Sequence, residues 1–173
     1  SHVQINHSFQ HWWALGFHRF QVASARSDKY AHFLSTNFLL KRWNGDSYQA
    51  NLYSILGLGE TRLVDEYQAG GLGGLQFDIE DRKYYFLAKY MEIRNSKEFE
   101  FQETNLRAGL APYVAGFDSL HSWLILDWSH SGTREGQFRN EVTPTLRMFY
   151  RNVLFEIGQS FEGNTKFNFI SHF

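Results

Sequence analysis

From Trp12 onward, apolar and polar residues alternate with a period of two, in runs separated by short polar segments containing Gly, Asn or Asp. The pattern predicts strands at roughly 12–24, 29–43, 47–60, 67–80, 83–95, 101–115, 119–131, 137–149, 152–161 and 164–173. Tight turns are expected at Asn44-Gly45-Asp46, Asp81-Arg82, Gly116-Phe117-Asp118 and Arg151-Asn152. Longer connections are expected around Ala25–Asp28, Thr61–Glu66, Asn95–Glu100, Gly132–Gly136 and Glu162–Asn164. Short and long connections alternate strictly. No linker interrupts them, so residues 1–173 read as one domain, with 1–11 a segment ahead of the first strand.

Alternation gives every strand an apolar and a polar face but leaves open which face is inside. A soluble lipocalin-like barrel turns the apolar face inward, and a membrane barrel turns it outward. Outward is favoured by aromatic residues at strand ends, as in interfacial girdles. Trp12, Trp13, Trp43, Tyr48, Tyr84, Tyr150 and Phe173 fall near one rim, and Tyr30, Tyr67, Phe99, Trp128, Phe138 and Phe161 near the other. The final run Thr165–Phe173 alternates aromatic with mostly polar residues and ends on Phe173.

In these respects the chain resembles small bacterial outer-membrane β-barrels over essentially its whole length. The resemblance implies an all-β, antiparallel, up-and-down transmembrane barrel, of ten strands by the pattern or eight as the alternative. It also implies a place in the bacterial outer membrane, contact with outer-membrane lipid, insertion by the barrel-assembly machinery and an earlier signal peptide. With short turns on the periplasmic side, both termini and segment 1–11 are expected in the periplasm.

Composition sharpens the picture in three ways. The net charge of −1 argues against nucleic acid as an electrostatic partner. Mean hydropathy is −0.43 and no apolar run reaches the ~20 residues of a membrane helix, which a barrel does not need. The absence of cysteine excludes disulfides and thiolate metal sites.

With lipid outside, the inward set contains His18, Asn37, Lys41, Gln76, Lys89, Arg107, Asp127, Glu141, Arg147 and Glu156. Both signs are present, and charges in a narrow lumen are costly unless paired. A three-residue turn at Gly116–Asp118 sets Arg107 opposite Asp127. A two-residue turn at Arg151-Asn152 sets Arg147 opposite Glu156. Ten strands enclose a lumen that side chains largely fill, so a general diffusion porin is not expected. The function expected is that of a non-enzymatic scaffold, binding protein or narrow solute pathway.

Little points to catalysis. Asp127 and His130 differ in parity and point to opposite faces, which separates the best acid–base candidates of a surface hydrolase. The omptins, ten-stranded surface proteases, resemble the chain in strand count only. Gly70-Gly71-Leu72-Gly73-Gly74 lies inside a strand with no helix after it, so it is not a phosphate loop. Ala69, Gly71 and Gly73 on its outward face would also allow close approach of another membrane protein. The histidines offer a second reading: His7, His11 and His172 are expected at one periplasmic rim, where imidazoles could bind Cu or Zn.

Overall fold

In the computed structural model the described residues are 2–22, 29–63, 66–95, 100–114, 116, 118–133 and 138–171. They form a single antiparallel sheet with strands in chain order, each paired with its sequence neighbours. The strands are β1 (His2–Gln10), β2 (Trp13–Val22), β3 (Lys29–Asn44), β4 (Tyr48–Leu63), β5 (Glu66–Asp81) and β6 (Tyr84–Asn95). They continue with β7 (Glu100–Leu110), β8 (His121–Thr133), β9 (Arg139–Tyr150), β10 (Val153–Gln159) and β11 (Thr165–Ser171).

The sheet is strongly curled. Phe20 on β2 lies 5.8 Å, ring to ring, from Phe101 on β7, which a strong curl of the wall brings about. Arg107 on β7 likewise reaches Glu156 on β10, and Lys166 on β11 reaches Asp127 on β8. The architecture is therefore all-β, up-and-down and barrel-like. Among the described residues no ladder joins β1 to β11.

Among the described residues the wall has eleven strands where the pattern predicts ten. The added strand is β1, paired with β2 from His2↔Phe20 to Gln10↔Trp13. Its alternation is concealed by a histidine, because Ile5, His7 and Phe9 share one face. An odd count among the described residues also moves their first and last strands' outer ends apart. His2 lies at the rim where β2 ends, whereas Ser171 pairs with Val153 beside the Arg151-Asn152 turn. The two ends of the described chain thus occupy opposite rims, not the single rim expected.

One rim carries the tight connections, with Asn44–Tyr48 closed by Gly45 N–H donating to the Tyr48 carbonyl at 2.9 Å. At Asp81–Tyr84 the Asp81 carboxylate accepts the N–H groups of Lys83 and Tyr84, each at 2.6 Å. Arg151 takes positive φ (54°) in the tight turn before β10. Between β7 and β8 the expected three-residue turn is replaced by a longer connection, because pairing stops at Leu110↔Leu124. Pro112 has no N–H to continue a ladder there. Tyr113 instead donates its hydroxyl to the Leu120 carbonyl at 2.9 Å.

The Gly-rich part of β5 separates the two faces of the wall. Inward Gly70 leaves room for the ring of Phe33, and a Cβ there would stand 3.3 Å from Phe33 Cζ. Outward Gly71 and Gly73 face open space.

Candidate functional site

The interior is filled in two layers of different chemistry. Toward the rim where β2 and β6 end, Phe20, Phe33, Ile55, Leu72, Met91, Ile93 and Phe101 form a buried apolar group. Toward the tight-turn rim, Tyr85, Leu87, Trp123 and Ile125 form a second one. The residues named for the inward set from the alternation include none of these side chains. Several strands are apolar on both faces near their ends, so period two alone does not assign these side chains.

The polar layer centres on Glu156. Register places Arg147 opposite it and Arg107 opposite Asp127. Glu156 Oε1 accepts from Arg147 Nε at 2.6 Å and from Arg107 Nη2 at 3.0 Å, while Oε2 accepts from Asn168 Nδ2 at 3.0 Å. Asp127 accepts from Asn105 Nδ2 at 2.5 Å and lies 3.6 Å from Lys166 Nζ. Arg107 Nε approaches Asp127 to 3.5 Å, close enough for attraction, but makes no hydrogen bond to it. The Arg147 guanidinium lies over the Tyr85 ring at 4.2 Å. Two carboxylates therefore meet Arg107, Arg147 and Lys166. Buried charges are tolerated in this form, paired and multiply hydrogen-bonded.

Other expected lumen groups take individual places. His18 is fully buried, within 2.9 Å of Ser35 Oγ and stacked on Phe20 at 6.0 Å. Asn37 donates to Asn6 at 3.3 Å, leaving its own carbonyl oxygen buried and unsatisfied. Lys89 pairs with Glu103 at 3.8 Å, and Glu141 accepts from Asn164 Nδ2 at 2.9 Å.

Lys41 departs from its expected inward position. A bulge between Leu39 and Lys41 inserts one residue and reverses the parity of the strand below it. Lys41 then lies opposite Leu52 on the outer face, exposed, with its ammonium 5.0 Å from the Trp43 ring centre. Arg42 turns inward in its stead and donates to Asn51 at 2.7 Å, and Asn51 donates to Asp78 at 2.8 Å. The consecutive Leu39 and Leu40 are the only local trace of this bulge in the sequence.

Among the described residues the candidates for catalysis and metal binding do not come together. Asp127 and Ser129 face inward, whereas His130 lies outside, within 2.9 Å of Asn140 Oδ1 and stacked 4.9 Å from Phe138. His7 sits on the outer face of β1, edge-on to Phe9 at 4.7 Å, and His11 lies in the β1–β2 turn. His172 falls outside the described residues. Among the described residues no cluster of three or more His, Asp or Glu side chains could hold a metal ion.

The outer surface inverts the polar layer of the interior, presenting large apolar side chains. Leu15, Phe17, Leu34, Leu56, Leu58, Leu75, Leu106, Leu124, Leu126, Leu146, Ile157 and Phe167 are all exposed, Leu58 by 79% and Leu34 by 71%. They lie in consecutive rows across the wall, as in Phe17↔Leu34↔Leu58 and Leu106, Leu124, Leu126 and Leu146 further round. No family model, no curated protein and no solved structure matches this chain.

Proposed function

We propose that this chain is an integral outer-membrane barrel of non-enzymatic type, acting as a scaffold or binding protein. The observation that carries the reading is the inversion just described: large aliphatic side chains cover the outside while ion pairs lie within. In water an apolar surface extending over so many strands would be an aggregation or binding liability, since soluble monomers keep such patches small. Against lipid it is the required surface. No helix among the described residues is long and apolar enough to cross a membrane, so any crossing is made by strands. The 16-residue strands β3, β4 and β5 suffice for that. At about 3.3 Å per residue and a tilt of about 45°, such a strand rises roughly 37 Å, beyond the ~30 Å hydrocarbon layer.

The filled lumen favours a scaffold or binding role over a solute pathway. Both the apolar group around Phe33 and the charge layer around Glu156 stand across the interior. The deciding experiment is gel mobility of detergent-extracted protein with and without boiling, alongside far-UV circular dichroism. A β-rich spectrum with a mobility shift on boiling is expected. A β-rich protein that stays monomeric in buffer without detergent would overturn the membrane reading.

A further inference from the structure

The outer face of β2–β5 turns from apolar to charged along the strands. Toward the middle of the wall stand Phe17, Leu34 and Leu58, in register across β2, β3 and β4. The next outward row toward the rim where β2 ends holds Arg19, His32, Glu60 and Ala69. The row beyond it sets Arg62 beside Tyr67. Ala69 adds only a methyl group to this surface, and a groove of about 500 Å³ opens there. Phe17, Leu34 and Leu58 line its mid-wall part, and His32, Glu60 and Tyr67 line the part nearer the rim.

We propose that this groove binds one phosphate-bearing membrane lipid, an acyl chain lying along Phe17, Leu34 and Leu58 and the phosphate meeting Arg19. The inference rests on the membrane reading, which puts lipid against this face.

Charge decides the headgroup. His32 lies parallel to Phe17 at 6.2 Å, ring to ring, and its Nδ1 is 3.9 Å from Glu60 Oε1. Arg62 holds its guanidinium 5.4 Å from the Tyr67 ring centre. It stands two residues from Glu60 on the same face of β4, so Glu60 is flanked by His32 and Arg62. Arg19 is exposed and makes no ion pair among the described residues. Two guanidinium groups against one carboxylate leave an excess of positive charge. A guanidinium fork holds phosphate oxygens through paired, charge-assisted hydrogen bonds.

Other occupants fit less well. A membrane helix or a second barrel wall would cover Arg19 with apolar side chains, and a buried cation without a partner is costly. A soluble anion would meet Arg19 but leave Phe17, Leu34 and Leu58 uncovered. A lipid has the same order as the groove, apolar toward mid-wall and anionic toward the rim.

Native mass spectrometry of the detergent-folded full chain reads the bound lipid directly. The probes are phosphatidylglycerol, diacylglycerol with the same chains, and inorganic phosphate as competitor. Each sample first passes the boiling-dependent mobility test, so that failure of the membrane reading, or of a variant to fold, is seen separately.

One molecule of phosphatidylglycerol is expected to bind, about tenfold more tightly than diacylglycerol. Arg19→Gln should weaken it about tenfold, and Arg19→Lys should recover part of the loss. Ala69→Trp, which fills the groove, should weaken it as well, and inorganic phosphate should not displace it. Equal binding of the two lipids would overturn the proposal, as would binding unchanged in Arg19→Gln or in Ala69→Trp. Displacement by inorganic phosphate would reveal an anion site and overturn the lipid assignment. Should a variant fail to fold, the lipid and phosphate comparisons on the wild type still decide.

Discussion

Arg107 and Glu156 stand on strands separated by two others, yet their side chains meet at 3.0 Å across the interior. That contact links β7 to β10 and shows how tightly the wall is curled. It also makes Glu156 the shared acceptor of two guanidinium groups, since Arg147 reaches the same oxygen.

Removing the Glu156 carboxylate is therefore expected to be severe. Its side chain is 6% exposed, and Glu156→Ala removes the carboxylate that Arg107 and Arg147 share. Breaking a buried pair on one side costs about 3–5 kcal/mol. Glu156→Gln, which keeps an acceptor oxygen, should lose less. Denaturant unfolding of the detergent-folded protein, followed by gel mobility, would check the order. Equal midpoints for wild type and Glu156→Ala would show that the network contributes nothing to stability.

Leu126 tests which solvent the outer face meets. It lies mid-strand on β8, half-exposed, with Leu124 beside it on the same face. If lipid surrounds it, Leu126→Arg should cost about 2–4 kcal/mol near the bilayer midplane and lower the yield of folded protein in membranes. If water surrounds it, the same substitution falls within about 0.5 kcal/mol of neutral. Transfer of the variant into lipid vesicles, scored by protease resistance, separates the two cases.

Register was the most legible feature of the sequence. Centring the β7–β8 connection on Phe117 sets Arg107 against Asp127, and this pairing holds although the connection is longer than a tight turn. The sum of paired residue numbers fixes register, however far the ladder extends. Less legible was any place where apolar residues occupy both parities. Leu39 and Leu40 hide the bulge that turns Lys41 out and Arg42 in. His7 hides β1. The buried aromatic group around Phe33 was invisible because it arises from strands distant in sequence, brought together only by the curl. The outward apolar rows were legible throughout, since they repeat on nearly every strand.

The filled interior predicts electrical silence. Purified protein reconstituted in planar bilayers should show no steady single-channel conductance. Phe20→Ala opens a cavity in the apolar layer beside Phe33 and Phe101, and should cost about 3–5 kcal/mol. It should still conduct nothing, because the Glu156 layer remains in place. Discrete, reproducible conductance in the wild type would favour the narrow-pathway reading over the scaffold.

Glycines on the two faces of the wall should respond in opposite senses to one added methyl group. At Gly59 a Cβ would collide with the His32 carbonyl oxygen and lie 2.7 Å from the Phe33 Cα, both backbone atoms that cannot swing aside. Gly59→Ala should therefore loosen the β3–β4 pairing and lower the unfolding midpoint. At Gly71 nothing lies within 4 Å of the added carbon, and its φ is not positive. Gly71→Ala should then stabilise by about 0.4–1 kcal/mol, mainly by restricting the unfolded chain. Both variants can be compared in one denaturant series. A loss at Gly71 comparable to that at Gly59 would mean that the open outer surface at β5 is covered by something that packs against it in the folded protein.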